Sequence, residues 1–379
     1  MSGQFLSELK PFIQEAWKKS GFEQPTMIQT DAIPAIIEGK DVIAESPTGT
    51  GKTLAYLLPV LNKVDPEKRA VQAVILASSQ ELVMQILQEV QKWAEGSGLK
   101  GASFIGGANL KRQLEKLKKH PQVVIGTPGR TYELIKQKKL KMHEVKTVVL
   151  DEGDQLLVPE HMGTVQNIVK STLGDRQVLL FSATLPKETE KMAQALTVEP
   201  KILKVEKDET IQSGKVEHLY IVSEQRDKIK VLEKVTRIDG IKALAFIKDI
   251  GNLTVTKEKL DFKGIEAGLL HSDLNKFDRQ KAVKELRSGK SNLLFSTDVA
   301  ARGLDIKGVT TVVHFDFPKD VTQYIHRSGR TGRAGAEGQV ISIVTEREER
   351  ELKKFARELD LLLEKRVFYK GELIAEEER

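Results

Sequence analysis

Short apolar runs and longer amphipathic stretches alternate along the chain. In the first half the apolar runs lie at 42–44, 71–77, 123–125, 148–150 and 178–181, and amphipathic stretches lie at 80–93 and 110–119. The runs are continuous and do not alternate with polar residues, which is typical of strands that helices cover on both faces. The pattern predicts buried strands separated by helices.

The second half repeats this pattern. Its predicted strands are 216–222, 243–247, 264–269, 292–295, 311–314 and 339–344, and its predicted helices include 226–236, 276–287 and 346–363. Strands that alternate with helices indicate an α/β fold with a parallel sheet. We therefore predict an α/β fold in both halves.

A length of 379 residues is too great for one ordinary hydrophobic core. The segment between Val205 and Gly214 is polar, aperiodic and glycine-containing, as a linker would be. We predict an N-terminal domain at 1–206, a linker at 207–214, a C-terminal domain at 215–364 and a short tail at 365–379. The end of this tail, 372–379, is acidic and expected to be frayed.

Composition narrows the class of protein. The chain has no cysteine, which excludes disulfides, thiolate metal sites and cysteine nucleophiles. Residues 1–19 lack a continuous apolar core and the apolar runs are strand-sized, so we expect no signal peptide, no membrane span and a cytoplasmic protein. A net charge of +6 hints at a polyanionic partner, although a solvated surface with a slight lysine excess accounts for it more simply.

A segment between the apolar run 42–44 and a helical stretch has the pattern of a phosphate-binding loop. It consists of Ser46, Pro47, Thr48, Gly49, Thr50, Gly51, Lys52 and Thr53. Its glycines let backbone N–H groups surround phosphates, and the helix N-terminus adds positive potential. Lys52 would pair with the β- and γ-phosphates, and Thr53 would bind Mg²⁺. The alternative is an ordinary glycine-rich turn, which the strand–loop–helix context disfavours.

Two acids, Asp151 and Glu152, follow the predicted strand 148–150. Ligands of open α/β sheets bind at the carboxyl ends of the strands, so these acids and the loop would share one edge. We expect Asp151 to hold Mg²⁺ partly through water, and Glu152 to deprotonate the attacking water. Paired acids are also common on protein surfaces, but together with the phosphate loop they predict an ATPase.

The motifs together resemble those of the DEAD-box RNA helicases of superfamily 2, in a short bacterial form with a minimal core. The matching segments are G-F-E-Q-P-T-M-I-Q at 21–29, T-P-G-R at 127–130, D-E-G-D at 151–154, S-A-T at 182–184, S-T-D-V-A-A-R-G-L-D-I at 296–306 and H-R-S-G-R-T-G-R at 326–333. They cover nearly the whole chain in the family's order. The resemblance implies two tandem RecA-like domains, each a parallel sheet flanked by helices.

This resemblance also assigns residues to ATP. Phe22 would stack on adenine, and Gln29 would bond the adenine edge through an amide that donates and accepts. From the second domain, Gly303 and Asp305 would contact the nucleotide.

Further roles implied by the family concern closure of the two domains. Arg330 and Arg333 would act as arginine fingers on the γ-phosphate, because guanidinium stays charged and forms forked hydrogen bonds. The residues expected to couple the ATP site to closure are Asp154, Ser182, Thr184 and His326.

The family holds the backbone of single-stranded RNA across both domains, which implies low sequence specificity. The expected RNA-binding residues are Gly106, Gly107, Thr127, Pro128, Gly129, Arg130, Thr297 and Arg302, with the region 271–279 beside them. Each of these glycines and threonines, taken alone, could equally well be part of a turn or a helix cap.

The chain departs from the family's pattern at three places. The family's P-T-R-E-L-A stands here as S-S-Q-E-L-V at 78–83, so Gln80 replaces an arginine expected to contact RNA. Lys276 stands in place of glutamine, and Gly153 in place of alanine. We expect Gly153 to loosen the strand end. The departures bear on RNA affinity and turnover and leave the ATP-hydrolysis residues intact.

The sequence thus predicts an ATP-dependent RNA helicase. It would hydrolyse ATP on binding single-stranded RNA and close its domains to unwind or remodel short RNA duplexes or ribonucleoproteins. We expect a monomer that uses ATP and Mg²⁺, with ribosomal or mRNA-decay complexes among its settings. Two alternatives stay open: an ATP-dependent RNA clamp or assembly scaffold with weak unwinding, and a DNA-directed superfamily 2 translocase.

Overall fold

A computed structural model of the chain describes residues 4–205, 216–301, 306, 308–332 and 336–378. The chain divides into two compact units, Met1–Asp208 and Glu209–Arg379. The predicted linker 207–214 lies outside the described residues, so its role as a linker stays a prediction. Within the described residues, no helix combines the length and apolar character needed to cross a membrane.

The first unit is built on a seven-stranded parallel sheet in the order β3-β4-β2-β5-β6-β1-β7. Its strands are β1 Val42–Glu45, β2 Ala73–Leu76, β3 Gly101–Phe104, β4 Val123–Gly126, β5 Thr147–Asp151, β6 Gln177–Ser182 and β7 Lys201–Lys204. Its helices are α1 Pro11–Ser20, α2 Met27–Ile37, α3 Lys52–Lys63, α4 Gln80–Trp93, α5 Leu110–Leu117, α6 Pro128–Lys136, α7 Gly153–Leu156, α8 Pro159–Lys170 and α9 Lys187–Gln194.

Helices cover both faces of this sheet, which accounts for the continuous apolar strands. Successive residues of a strand point to opposite faces. Along β6, Leu179 and Phe181 join one core with Tyr56, while Leu180 joins the other core with Leu150. The predicted parallel α/β architecture is therefore confirmed.

The second unit contains an eight-stranded sheet in the order β10-β11-β9-β12-β13-β8-β14-β15, in which only the β14–β15 pair is antiparallel. Its strands are β8 Val216–Val222, β9 Ala243–Phe246, β10 Ala267–Leu270, β11 Leu293–Ser296, β12 Thr311–His314, β13 Gly338–Val344, β14 Leu363–Tyr369 and β15 Glu372–Ala375. Its helices are α10 Lys228–Val235, α11 Ile250–Asp261, α12 Lys276–Ser288, α13 Asp298–Ala301, α14 Val321–Ser328 and α15 Glu346–Glu358.

The segment predicted as a short tail at 365–379 forms most of the β14–β15 hairpin, and β15 lies in the part, 372–379, that was expected to be frayed. Helix α15 ends at Glu358, before the predicted end at 363, and β14 then pairs in parallel with β8. Lys370 and Gly371 turn the hairpin with φ values of 48° and 94°, as two-residue hairpin turns require. Phe368 and Leu373 pack on the core, so the second unit extends beyond the predicted boundary at 364.

His314, at the end of β12, is fully buried. Its Nδ1 lies 3.1 Å from the Ser342 hydroxyl, and its ring packs edge-on against Tyr324 at 4.9 Å. Burial, with smaller effects from the nearby charges of Arg327 and His218, holds the pKa of His314 well below its usual range. The folded protein therefore strongly favours the neutral imidazole.

We expect acid to destabilise the second unit through this residue. Below a pH of about 6.5, the unfolded chain takes up a proton that folded His314 does not, so stability falls as the pH falls. Both tryptophans, Trp17 and Trp93, lie in the first unit. Unfolding of the second unit is therefore followed as a circular dichroism transition that leaves tryptophan fluorescence unchanged. His314→Asn should lose less stability than the wild type between pH 7.5 and 5.5, and a loss equal to that of the wild type would contradict the role of His314.

Candidate functional site

The residues predicted to be functional in the first unit follow neighbouring strands at one edge of its sheet. Across β3, β4, β2, β5, β6 and β1, the segments that come next are 106–107, 127–130, 78–80, 151–154, 182–184 and 46–53. All these strands are parallel, so their carboxyl ends share this edge. The expected RNA segments lie at one end of the row and the phosphate loop at the other. Segments 78–80 and 151–154 lie between them.

The phosphate loop connects β1 to α3 by two glycines in left-handed conformations. Gly49 and Gly51 have φ values of 85° and 87°. Residues other than glycine adopt such values only at a cost in free energy. The Lys52 Nζ donates to the carbonyls of Ser46 and Pro47, at 2.7 Å from the latter. The Lys52 side chain thus folds back onto its own loop. Its ammonium group can replace these two hydrogen bonds with hydrogen bonds to phosphate oxygens.

Gln29 is buried beneath the loop at the start of α2. Its Oε1 accepts from the Thr26 backbone N–H at 3.0 Å, and its Nε2 donates to the Gly51 carbonyl at 3.2 Å. A Cβ at Gly51 would lie 2.4 Å from this Nε2, which accounts for the glycine. Gln29 therefore links the helix cap to the phosphate loop, and its contact with adenine stays a prediction.

Phe22 belongs to an aromatic cluster and keeps part of its ring exposed. It is 47% exposed, and its ring stacks on Trp93 with ring centroids 6.4 Å apart and planes inclined by 8°. Trp17 packs against it at 5.5 Å. A base could therefore add to an existing aromatic stack, which is consistent with the predicted adenine contact.

Asp151 and Thr53, the two predicted Mg²⁺ ligands, meet at the hydroxyl of Tyr56. This hydroxyl donates to Asp151 Oδ2 at 2.9 Å and accepts from Thr53. Burial first, and then the charge of Glu152, raises the pKa of Asp151 to about 6. A bound cation would oppose both effects and favour the carboxylate.

These oxygen donors fit Mg²⁺, which accepts carboxylate, hydroxyl, water and phosphate oxygens. Among the residues that the structure describes, no group of three or more His, Cys, Asp or Glu side chains could hold a metal ion. Asp151 and Thr53 are the predicted protein ligands, and phosphate oxygens and water would be the other ligands of Mg²⁺.

Glu152 follows β5 directly and has a left-handed backbone conformation, with φ 55° and ψ 55°. One of its carboxylate oxygens, Oε2, accepts from the Ser78 hydroxyl at 2.6 Å. Ser78 follows β2, the neighbouring strand, in which Leu76 pairs with Leu150. The turn after β5 thus sets the backbone of Glu152, and the hydrogen bond from Ser78 separately holds its carboxylate.

The space beside Gly153 is filled by a side chain of the neighbouring strand β6, and the expected loosening of the strand end stays a prediction. A Cβ at this position would lie 2.6 Å from Cγ of Leu180 on β6 and 2.8 Å from each of its methyl groups. Leu180 is itself fully buried. The leucine thus occupies the space that an alanine at 153 would need.

Gly153→Ala is therefore expected to destabilise the first unit by about 1–3 kcal/mol through overpacking. Tryptophan fluorescence in urea would measure this change, since both tryptophans report on the first unit. In a double-mutant cycle, the same substitution should cost less when Leu180 is Ala, because the space is then free. Equal costs in both backgrounds would show that Leu180 is not the obstacle.

Asp154 collects the predicted coupling residues of the first unit. Ser182 donates to its Oδ1 at 2.6 Å and Thr184 donates to its Oδ2 at 3.1 Å, and all three are buried. The structure thus brings 151–154 and 182–184 together through side chains. The function of this cluster in domain closure stays a prediction.

The candidate RNA segments of the first unit also touch one another. Gln80 donates from Nε2 to the Gly106 carbonyl at 3.0 Å, and Gly107 turns with a φ of 71°. Arg130 donates to the Ala108 carbonyl at 3.3 Å. Thr127 precedes α6, and Pro128 and Gly129 form its first turn. The Arg130 side chain is largely buried and also pairs with Glu133 at 3.0 Å. The backbone groups of these turns suit a phosphate–sugar chain, and the contact of Arg130 with RNA stays a prediction.

In the second unit, Thr297 follows β11 and is buried, with its N–H bonded to the Leu270 carbonyl at 3.2 Å. His326 lies in the last turn of α14. Arg330 is also buried, and its Nε donates to the His326 carbonyl at 3.2 Å. Four predicted site residues lie outside the described residues: Arg302, Gly303, Asp305 and Arg333.

Sequence reasoning missed Arg327, which is 3% exposed. Its Nε and Nη2 bond the two carboxylate oxygens of Asp298 at 2.7 and 2.8 Å, and its Nη1 donates to the Asp316 carbonyl at 2.6 Å. The guanidinium lies over the Phe246 ring at 5.0 Å. A spacing of three from buried Tyr324 on α14 could have placed it on the inward face.

Comparisons with known proteins identify the family to which the chain is similar. The DEAD/DEAH box helicase family matches residues 26–192, and the helicase conserved C-terminal domain matches residues 227–335. The chain is 56% identical to the probable ATP-dependent RNA helicase YfmL of Bacillus subtilis, covering 97% of this chain and 98% of that protein. It is 50% identical to the DEAD-box ATP-dependent RNA helicase CshC of Bacillus cereus, covering 97% and 94%.

Solved structures give similar matches. Dbp5 of S. cerevisiae, bound to RNA and ADP BeF3, is 30% identical with a TM-score of 0.86, covering 96% of this chain and 95% of that one. Mss116p bound to ssRNA and AMP-PNP is 27% identical with a TM-score of 0.83, covering 98% and 80%.

Proposed function

This chain belongs to the DEAD-box helicases, and from that membership we propose how its two RecA-like domains use ATP and RNA. The protein is an ATP-dependent RNA helicase that hydrolyses ATP when single-stranded RNA binds. One observation carries the proposal: a single sheet edge holds the phosphate loop, Asp151 and Glu152, and the backbone-presenting turns at Gly106 and Thr127. ATP and RNA would therefore occupy neighbouring positions on one rigid edge.

The first domain would supply the hydrolytic groups. Lys52 would leave its loop carbonyls for the β- and γ-phosphates, and Glu152 would take a proton from the attacking water. Mg²⁺, when bound beside Asp151 and Thr53, would neutralise charge on the phosphates. Phe22 and Gln29 would favour adenine over other bases.

For the second domain, we propose that Arg330 and Arg333 reach the γ-phosphate when the domains close, while Gly303 and Asp305 contact the nucleotide. Closure around ATP and RNA would bend the strand and melt a short duplex, and phosphate release would reopen the domains. His326, with the Asp154 cluster, would link closure to hydrolysis. Residues 207–214 would serve as the linker that permits this movement.

RNA would be held through its backbone by both domains, with Arg302 and Thr297 on the second. Such contacts carry little sequence information, and contacts to 2′-hydroxyls would distinguish RNA from DNA. We therefore expect the protein to bind RNA of many different sequences.

The direct test is ATP turnover measured without nucleic acid, with single-stranded RNA and with single-stranded DNA of the same sequence. We expect strong stimulation by RNA and little by DNA. Equal turnover with and without RNA would contradict the helicase proposal, and equal stimulation by DNA would favour a DNA-directed translocase.

A clamp or assembly scaffold is the second candidate, and Gln80 favours it. Its amide bonds Gly106 where the family has an arginine for RNA, so one charge-assisted contact is absent. A duplex-displacement assay run beside the ATPase assay separates the two candidates. RNA-stimulated turnover without strand displacement would identify a clamp.

We further propose a monomeric, cytoplasmic protein that acts in ribosomal or mRNA-decay complexes. Sedimentation would report the oligomeric state. Crosslinking the protein to cellular RNA, followed by sequencing of the bound RNA, would identify its targets. Recovery of neither ribosomal RNA nor mRNA would contradict these settings.

A further inference from the structure

Ser78 occupies a position between the two halves of the proposed site. It follows β2, which pairs with β4 on one side and β5 on the other. Strand β4 leads to the RNA segment at 127–130, and β5 leads to Glu152. The family pattern has proline at this position, and proline has no hydroxyl to donate. Ser78 can therefore donate a hydrogen bond that the proline of the family pattern cannot.

The contact with Glu152 has the geometry of a restraint on a carboxylate. At 2.6 Å, the Ser78 hydroxyl donates to Oε2 and limits rotation of the carboxylate plane. Hydrogen bonds from a hydroxyl to an ionised carboxylate are short and strong. Because only Oε2 is used in this bond, Oε1 remains to accept a proton from water.

The two residues after Ser78 anchor the same segment elsewhere. The Ser79 hydroxyl accepts from the Leu82 N–H at 3.1 Å and caps α4. Gln80 donates to the Gly106 carbonyl at 3.0 Å. Three consecutive side chains thus tie the proposed general base, a helix and a proposed RNA turn to one stretch of backbone.

We propose that Ser78 is a positioning residue that orients Glu152 for activation of water, and that Gln80 makes this orientation sensitive to RNA at the Gly106–Gly107 turn. RNA that binds this turn acts on the segment that holds the carboxylate. The inference rests on the proposed function and adds a residue outside its phosphate-binding and magnesium-binding groups.

The first test is steady-state ATP turnover at saturating RNA. Ser78→Ala should lower kcat about tenfold, the loss expected when one hydrogen bond to a charged group is removed. The KM for ATP should not change, because Ser78 does not contact the phosphate loop residues that bind ATP. Ser78→Thr keeps the hydroxyl and should restore kcat to within about twofold of the wild type.

Ser171→Ala is the matched control. It also deletes a hydroxyl with a 2.6 Å hydrogen bond, at the end of α8 and away from the site, and should leave kcat unchanged. Tryptophan fluorescence in urea would confirm that all variants are folded. An unchanged or increased kcat in Ser78→Ala, or an equal loss in Ser78→Thr, overturns the positioning role.

The connection to RNA is tested by combining substitutions. Because Ser78 and Gln80 act through one segment, Ser78→Ala with Gln80→Ala should lose no more RNA stimulation than Ser78→Ala alone. Independent, multiplicative losses would overturn the connection. Wild-type protein measured in parallel separates the two proposals. If RNA stimulates the wild type but Ser78→Ala matches it, only this inference fails; if RNA does not stimulate the wild type, the proposed function fails as well.

Discussion

Glu152→Gln is expected to lower RNA-stimulated ATP hydrolysis by about 10²–10⁴-fold, the contribution typical of a positioned general base. Glutamine has nearly the same shape as glutamate, and its amide oxygen can still accept from Ser78, so the side chain should remain in place. It cannot take a proton from water at neutral pH. ATP and RNA should therefore still bind, and turnover should stop after binding.

The measurement combines ATP turnover with binding of a fluorescent ATP analogue and a labelled single-stranded RNA. Lys52→Ala serves as the contrasting variant, because it removes the ammonium expected on the phosphates and should weaken nucleotide binding itself. The two variants thus separate binding from chemistry. Turnover by Glu152→Gln close to that of the wild type would sink the assignment of Glu152 as the base.

Asp298→Ala is expected to destabilise the second domain by about 3–5 kcal/mol, because it leaves the buried Arg327 guanidinium without its counter-charge. Arg327 is 3% exposed and bonds both oxygens of Asp298. Desolvation of this cation is offset by that bidentate contact, together with the Asp316 carbonyl and the face of Phe246. Loss of the carboxylate removes the largest of these compensating interactions.

Urea unfolding followed by circular dichroism would show the loss in the transition that leaves tryptophan fluorescence unchanged. Replacing the pair together, Asp298→Ala with Arg327→Met, should recover part of the stability, since neither charge of this ion pair remains. Lys290→Ala is a suitable comparison, because its ion pair with Glu285 is exposed to solvent and should contribute little to stability. A loss in Asp298→Ala no greater than that of Lys290→Ala would show that the buried pair contributes little.

Sequence patterns predicted the strands that helices cover on both faces, because continuous apolar runs of strand length are typical of such buried strands. They missed β3, whose Gly101 and Ser103 interrupt the apolar pattern, and β7, whose residues are largely exposed at the sheet edge. They also missed the hairpin, since β14 and β15 are only half buried and rich in charge. Edge strands satisfy fewer packing constraints, so their sequences carry a weaker signal.

For the site, as for the fold, sequence patterns predicted the local features and missed the contacts between distant segments. Motifs identified the phosphate loop and the two acids because, within each motif, the chemistry requires particular residue types at adjacent positions. The contact between Ser78 and Glu152 joins residues 74 positions apart, and it depends on β2 and β5 being neighbours, which local patterns do not specify. The fit of Leu180 against Gly153 likewise follows from packing between strands.

The β14–β15 hairpin has a practical consequence for anyone who shortens this protein. Strand β14 covers the backbone of β8 on the side away from β13. A fragment that stopped at the end of α15 would leave that side of β8 open, and open strand edges promote self-association. Expression of the second domain by itself should therefore keep the residues through Ala375, and a fusion partner is better joined after them.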